Sequence, residues 1–182
     1  MAELNKSLYE NFSTSISYPT AELFLKSVSD CNELLKENGS RGAVSGFKKF
    51  KAELEKLDET QLEELYTKTF DINGVCSLDL GYVLFGEDYK RGALLVEISR
   101  LLRENDVDPG TELADHLPNV LRLLPKLTNF EEREQMIEKL VIPAINNMIL
   151  KFGKGNNKKC IYYYALKSLR DLLEDSLEEF NL

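Results

Sequence analysis

The chain has 182 residues, of which 43% are hydrophobic and 30% are charged, and its formal net charge is −8. This length and composition predict one compact domain over residues 1–182. The acidic balance disfavours binding to nucleic acid or to an anionic membrane surface, because both repel a negative protein. It favours basic peptides as partners, although an acidic surface is also an ordinary solution to solubility.

Neither a targeting segment nor a membrane span is predicted. The N-terminal residues MAELNKSLYENF lack a basic region followed by an apolar run, and the longest apolar run, Leu140–Ile145, is far below the ~20 residues of a membrane helix. Cys31, Cys76 and Cys160 are widely spaced and include no C-x-x-C pair, which is typical of reduced thiols. We therefore expect a cytoplasmic protein that does not insert into a membrane.

Helical periodicity predicts three helices in the first part of the chain. Their apolar stripes run from Phe24 to Leu35, from Ala43 to Leu57 and from Leu62 to Phe70. Pro19 suits the first turn of the first helix, and Asn38-Gly39 suits its end. Asp58 and Gln61 predict a capping box at the start of the third.

Four more helices are predicted in the second part. Their stripes run from Leu94 to Leu102, from Leu117 to Leu124, from Met136 to Phe152 and from Tyr162 to Phe180. Asn129 and Glu132 predict a capped start for the third of these, and Pro143 predicts a kink within it. Residues 153–159, GKGNNKK, predict a loop. Because no stretch alternates in the manner of a strand, the sequence predicts an all-α, single-domain bundle of roughly six to eight helices.

The residue types that catalysis or metal binding requires are scarce. His116 is the single histidine, which limits acid–base and nucleophilic chemistry. No Cys/His cluster has metal-ligand spacing, and Gly153-Lys154-Gly155 lacks the preceding strand of a phosphate-binding loop. We therefore predict that the protein is not an enzyme and binds no metal or cofactor of its own.

The segment from Phe70 to Gly92, FDINGVCSLDLGYVLFGEDYKRG, breaks the helical pattern. It places apolar and aromatic residues beside carboxylates, and long connections of that kind are often functional. Alternatively, Leu84, Phe85 and Tyr89 fill the core while residues 86–88 cap the next helix. The residues alone leave both interpretations open.

A second segment, ELADHLP at positions 112–118, predicts the start of a helix. Asp115 suits the N-cap and Pro118 suits the first turn. His116 would then lie at the positive end of the helix dipole, which disfavours its protonated form. A hydrogen-bonded structural role for His116 is the plainer alternative.

These segments resemble NarJ-type nitrate reductase delta proteins, a branch of the TorD-like redox enzyme maturation chaperones. The matching stretches are Leu65-Tyr66-x-x-Thr69-Phe70-Asp71, Cys76-Ser77-Leu78 leading to LFGEDYKRG at 84–92, and Glu112-Leu113-x-Asp115-His116-Leu117-Pro118. The resemblance implies a TorD/NarJ-like bundle that binds the N-terminal segment of a molybdenum-containing catalytic subunit. Such a chaperone keeps that subunit competent for insertion of the molybdenum cofactor and delays its docking at the membrane.

The resemblance, together with the acidic charge, predicts a groove that binds the client peptide. Its predicted lining residues are Tyr66, Phe70, Leu84, Phe85 and Tyr89, and its predicted partners for basic client groups are Asp71, Glu87, Asp88 and Asp115. Three further residues are predicted to support the site, of which Arg91 and His116 brace the carboxylates; the third is Pro118.

Two alternatives come from other functional classes. A nucleotide- or pterin-binding helical protein would need a phosphate cradle, for which Lys154 and Lys158 are the available cations. A generic helical adaptor would bind an unrelated partner. We expect a monomer, with a helix-exchanged dimer hinged at Pro143 or at the Asp108-Pro109-Gly110 turn as the alternative.

Overall fold

Helices make up the architecture of the computed structural model, which describes residues 5–71, 74–152 and 160–180. The helices are α1 Lys6–Ser15, α2 Ala21–Asn38, α3 Arg41–Leu54, α4 Glu59–Phe70, α5 Leu80–Phe85, α6 Tyr89–Glu104, α7 Leu117–Leu123, α8 Phe130–Met136, α9 Ile142–Phe152 and α10 Tyr162–Phe180. A 3₁₀ turn, Leu124–Lys126, follows α7, and a π-helical turn, Ile137–Val141, joins α8 to α9. Within those ranges no strand forms, and the all-α prediction is confirmed. The loop predicted at 153–159, with Lys154 and Lys158, lies outside the described residues.

Several helix ends form where the sequence predicts them. Asp58 accepts a hydrogen bond from the Gln61 N–H at 2.9 Å, and the Gln61 side chain accepts one from the Asp58 N–H at 3.0 Å. Helix α2 ends at Asn38, with Gly39 as its C-cap. Asn129 accepts a hydrogen bond from the Glu132 N–H at the start of α8. These three predictions are confirmed. Polar side chains satisfy free backbone groups at the two helix starts, and at the end of α2 the Gly39 N–H donates to the Leu35 carbonyl at 2.7 Å.

Two predicted helix starts differ from the structure. Pro19 lies outside α2, since Thr20 is the N-cap of that helix. The N-cap of α7 is His116 rather than Asp115, and Pro118 lies in the first turn as expected. Asp115 does not cap α7 because its carboxylate bonds to a backbone amide elsewhere in the chain.

Two helices, α1 and α5, were not predicted. Helix α1 is capped by Asn5, which accepts from the Leu8 N–H at 3.0 Å. Its buried side includes Ser13, whose hydroxyl donates to the Pro118 carbonyl at 2.8 Å. Helix α5 has six residues and ends at Gly86, whose φ of +61° is a conformation that glycine adopts without strain.

The core is built around α10, which packs most extensively on α3. Ser168 donates to the Ala43 carbonyl at 2.6 Å. A Cβ at Gly46 would lie 3.1 Å from the Ser168 Cβ, so a larger residue there would push the two helices apart. Aromatic rings continue the core. The Tyr162 ring packs tilted against Phe50, with 5.8 Å between centroids, and edge to face against Phe70, with 4.8 Å between centroids. The aromatic core thus reaches the C-terminal end of α4.

Replacing Tyr162 with phenylalanine is expected to stabilise the protein. The Tyr162 ring is fully buried, and its hydroxyl has no hydrogen-bond partner among the described residues. Because a buried unpaired hydroxyl is costly, Tyr162→Phe should raise the free energy of unfolding by about 1 kcal/mol in urea denaturation. The same change at the partly buried Tyr163 is the control and should have no comparable effect. A loss of stability in Tyr162→Phe would contradict the assignment.

Candidate functional site

Backbone hydrogen bonds hold the segment after α4 against the last turn of that helix. The helix ends at Phe70, and the Gly74 N–H donates to the Asp71 carbonyl at 2.6 Å. The Cys76 N–H donates to the Thr69 carbonyl at 3.1 Å. A Cβ at Gly74 would lie 2.6 Å from that same Thr69 oxygen, so the close approach requires glycine. Phe70 and Asp71 are held at the surface where two clefts meet.

The first cleft, the α5–α9 cleft, has a volume of about 570 Å³. It is lined by Phe70, Asp71, Gly74, Val75, Cys76, Ser77, Tyr82, Val83, Gly86, Met148 and Lys151. Its walls offer apolar surface from α5 and α9, with one carboxylate and one ammonium group. Such a composition suits apolar side chains of an extended or helical peptide.

The second cleft, the α1–α4 cleft, has a volume of about 560 Å³. It is lined by Ser13, Thr14, Ser17, Tyr18, Thr20, Tyr66, Phe70, Asp71, Pro109, Gly110, Thr111, Glu112, His116, Pro118, Asn119 and Arg122. The Tyr66 ring contacts the rings of Tyr18 and Phe70 edge to face, at 5.4 and 5.2 Å between centroids. Since Phe70 and Asp71 line both clefts, we refer to the two clefts together as the groove.

Two carboxylates of the α1–α4 cleft form no ion pair within the part of the chain that the structure describes. Asp71 and Glu112 are exposed and have no ion-pair partner among the described residues. Burial raises the pKa of Tyr66, and the charges of Glu112 and Asp71 raise it further. The guanidinium of Arg122 is tied to the cleft wall, where it donates to the Asp108 carbonyl at 2.8 Å. The cleft is therefore suited to a cationic group.

A short backbone bridge holds the segment before α5 against the segment before α7. The Leu80 N–H donates to the Asp115 carbonyl, and the Leu117 N–H donates to the Leu78 carbonyl, both at 2.9 Å. Because α5 forms one wall of the α5–α9 cleft and α7 begins beside the α1–α4 cleft, this bridge fixes the two walls relative to each other.

Four polar side chains surround the bridge; we refer to Asp79, Arg91, Asp115 and His116 as the latch. Asp79 contacts His116 Nδ1 at 3.0 Å and accepts from the Arg91 guanidinium at 3.3 Å. The Arg91 guanidinium also lies 5.3 Å from the centroid of the Tyr82 ring. The latch thus joins α6 to both segments of the bridge and supports an aromatic wall of the groove.

Asp115 is the most buried member of the latch. Its side chain has no exposed surface, and its Oδ2 accepts from the Gly81 N–H at 2.9 Å. A Cβ at Gly81 would lie 2.8 Å from this oxygen, so an alanine there would displace the carboxylate. Burial raises the pKa of Asp115, and the hydrogen bond from Gly81 and the charge of Arg91 offset part of that effect.

The structure brings part of the predicted site together. Tyr66, Phe70, Asp71, His116 and Pro118 all line the α1–α4 cleft. They come from the end of α4 and the start of α7, and 46 positions of the chain separate Phe70 from His116. Their assignment as client contacts stays a prediction, since a cleft does not identify its ligand.

Five further predicted residues, 84, 85, 87, 88 and 89, lie at the corner between α5 and α6, outside the lining of either cleft. Leu84 is partly buried against the core, as the core-filling alternative expects. Phe85 is 37% exposed and Tyr89 is 82% exposed, so neither is buried in the core. Glu87 and Asp88 are exposed, and Asp88 caps α6 by accepting from the Lys90 N–H at 2.9 Å.

Asp115 must be removed from the candidate client contacts, because a fully buried carboxylate cannot meet a client in this structure. Arg91 lies 4.0 Å from Asp115, so it braces one predicted carboxylate. His116 and Arg91 both pair with Asp79, which was not among the predicted site residues. None of the predicted exposed carboxylates is braced by His116 in the described structure.

Most other lining residues of the groove were not predicted, among them Tyr18, Tyr82, Glu112, Met148 and Lys151. Tyr82 lies within the segment from Phe70 to Gly92, and Glu112 lies within the segment 112–118. Membership of these two segments was therefore the sequence signal that could have identified both residues. Tyr18, Met148 and Lys151 belong to the turn after α1 and to α9, and the sequence gives no sign that these elements meet α4.

The cysteine side chains are poor nucleophiles in this fold. Burial raises the pKa of Cys76, in the wall of the α5–α9 cleft, to about 12, and it also raises the pKa of Cys31 and Cys160. Thiols of this kind stay protonated at neutral pH. In the described residues, no cluster of His, Cys, Asp or Glu could hold a metal ion, and no helix is both long and apolar enough to cross a membrane.

Comparison with known proteins identifies the fold. No protein-family model matches the sequence, and no curated protein matches it. The structure is similar to the crystal structure of a candidate redox enzyme maturation protein from Archaeoglobus fulgidus, with a TM-score of 0.59 and 17% sequence identity. The match covers 96% of this chain and 96% of that chain. The chain therefore has the helical fold of that protein along nearly its whole length.

Proposed function

We propose that this protein is a NarJ-type assembly chaperone, which binds the N-terminal segment of the catalytic subunit of a molybdenum-containing oxidoreductase related to nitrate reductase. It keeps that subunit competent for insertion of the molybdenum cofactor, before the subunit docks at the membrane. The main support is the groove at the end of α4, where Phe70 and Asp71 belong to a matching motif and line both clefts. The fold shared with a candidate redox enzyme maturation protein adds to that support.

The groove offers each part of a basic, apolar peptide a chemically suitable contact. Apolar client side chains would be buried against Val75 and Val83 in the α5–α9 cleft, at about 25 cal/mol per Å² of apolar area. A client guanidinium or ammonium group would lie near Asp71 and Glu112 in the α1–α4 cleft. Since both carboxylates are exposed, they would contribute more to the association rate and to specificity than to total affinity.

The client can be identified by capture. The tagged protein is purified from cells blocked in molybdenum-cofactor synthesis, where an immature catalytic subunit accumulates. We expect a large oxidoreductase subunit to co-purify and its N-terminal peptide to bind in calorimetry. If neither occurs, the proposal fails, and capture of a protein unrelated to oxidoreductases would favour a generic adaptor instead.

Charge reversal at Asp71 is expected to weaken binding of that peptide. Asp71→Lys replaces a carboxylate in the groove with a cation and should raise the dissociation constant by about tenfold, a free-energy change of about 1.4 kcal/mol. Glu87→Lys is the matched control, because it changes the net charge equally at an exposed residue outside both clefts. An equal loss in both variants would show that only the overall field matters.

A further inference from the structure

The outer face of α6 is left uncovered by the described part of the chain. Tyr89 and Val96 are 82% and 72% exposed, and Ala93 between them is also exposed. These positions recur at i, i+4 and i+7, so they lie on one side of the helix. The opposite side faces the core through Ile98, Leu101 and Leu102. Two large apolar side chains on one helix face form a candidate docking surface.

We propose that this face binds the same face of a second copy, with the two α6 helices antiparallel and a two-fold axis passing near Ala93. The proposal concerns a surface separate from the groove, since neither Tyr89 nor Val96 lines either cleft. It also requires no exchange of helices between the copies. In such a pair, Tyr89 of each copy packs against Val96 of the other, and the small side chain of Ala93 lies where the helices cross.

The charges along α6 support this arrangement. In the antiparallel register, Lys90 of one copy lies beside Glu97 of the other, and Arg100 lies beside Glu87. Each contact occurs twice because of the two-fold axis. A parallel pair would instead place Lys90 beside Lys90 and Glu97 beside Glu97, which is repulsive. The charge pattern is thus complementary to itself in one orientation only.

The monomer leaves part of this charge pattern unused. Lys90 and Glu87 have no ion-pair partner among the described residues. Arg100 already pairs with Glu97 at 2.6 Å and with Glu104 at 2.5 Å, and it lies 3.9 Å from Glu132. These three carboxylates outnumber the single guanidinium, so the cluster keeps a negative charge that a cation of a second copy can approach. One helix face provides less than the roughly 800 Å² per partner of a standard interface. We therefore expect a weak dimer, with a dissociation constant of about 10 to 100 µM.

The first test is sedimentation equilibrium of the full chain over a concentration series. The average mass of the wild type should rise above 20.8 kDa as concentration increases, whereas Val96→Glu should remain at the monomer mass. Leu23→Glu is the matched control, since Leu23 is also an exposed aliphatic side chain but lies on α2. The Leu23→Glu variant should associate like the wild type. A wild-type mass that stays at 20.8 kDa at about 500 µM, or equal losses in the two variants, would overturn the proposal.

The second test addresses orientation. Lys90→Glu and Glu97→Lys each place like charges opposite one another and should weaken self-association by about tenfold. When the two variants are mixed, every introduced charge meets its opposite, so the mixture should associate with about the wild-type affinity. Circular dichroism verifies that each variant is folded. If the mixture associates no better than either variant alone, the antiparallel pairing is wrong.

Discussion

Asp115→Ala is expected to lower the free energy of unfolding by about 3 kcal/mol. The variant leaves the buried N–H of Gly81 without its acceptor and removes the carboxylate near the Arg91 Nε. Unpaired polar groups are costly in the interior because water cannot replace the lost partner. The loss should also loosen the bridge between the segments before α5 and α7, since Asp115 contributes to it through both its side chain and its backbone.

Urea denaturation of two further variants separates burial from hydrogen bonding. Asp108→Ala also removes a carboxylate that accepts from a backbone amide, at Gly110, but that bond is exposed to solvent. It should therefore cost less than about 1 kcal/mol. Asp115→Asn keeps an acceptor for Gly81 and should fall between the two. Equal losses at positions 108 and 115 would show that the burial of Asp115 has no energetic consequence.

The burial of Asp115 also predicts the direction of a pH effect. Because its pKa is raised in the folded protein, the folded state binds this proton more tightly than the unfolded state does. The contribution of Asp115 to stability is therefore fully present below the unfolded pKa of about 3.9 and is lost as pH rises through the folded value. Asp115→Asn cannot titrate at this position. The stability of the wild type relative to Asp115→Asn should thus decline with rising pH, and a rise would contradict the assignment.

Phe70→Ala is expected to weaken binding of the client peptide by about 30-fold, or about 2 kcal/mol. Phe70 lines both clefts, so its removal changes the contact surface of the whole groove. Its ring also packs edge to face against Tyr162 at 4.8 Å and Tyr66 at 5.2 Å. Since Phe70 is partly buried, the variant should lose about 2 to 3 kcal/mol of stability as well.

Phe85→Ala is the matched control for Phe70→Ala. Both residues are partly exposed phenylalanines in the segment that the sequence singled out, but Phe85 lies outside the lining of the groove. Binding is measured by calorimetry at a temperature where unfolding curves show each variant to be folded. A larger loss of affinity in Phe85→Ala would place the client at the corner between α5 and α6.

The helical fold could be predicted because most helices bury an apolar stripe of regular spacing. Helix α1 was not predicted although Leu8, Phe12 and Ile16 are buried at helical spacing, since this stripe is short and Ser13 and Ser15 share the buried side. Helix α5 has six residues, too few for a helical period to be recognised. Tertiary contacts stabilise both helices, and such contacts are not visible in local spacing.

The candidate site was predictable only as a set of segments. The sequence identified Asp115 and His116 as unusual residues, but their roles depend on contacts with Gly81 and Asp79, which lie 34 and 37 positions away. Burial separates Asp115 from the exposed Asp71, although both are aspartates in matching motifs. Residues such as Tyr18 join the groove through the packing of whole helices, which a single sequence does not report.

The π-helical turn between α8 and α9 holds one residue more than a regular α-helical turn would. There the Ile142 N–H bonds to the Ile137 carbonyl five residues earlier, immediately before Pro143, where the sequence predicted a kink. Each residue of an α-helix turns the chain by about 100°. Four α-helical residues therefore turn the chain by about 400°, and the five residues of this π-helical turn complete nearly the same rotation. A relative shorter by one residue at this point could close the turn as regular α-helix while Met148 and Lys151 keep their side of α9. The turn is thus a position where evolution could gain or lose a residue without changing the wall of the α5–α9 cleft.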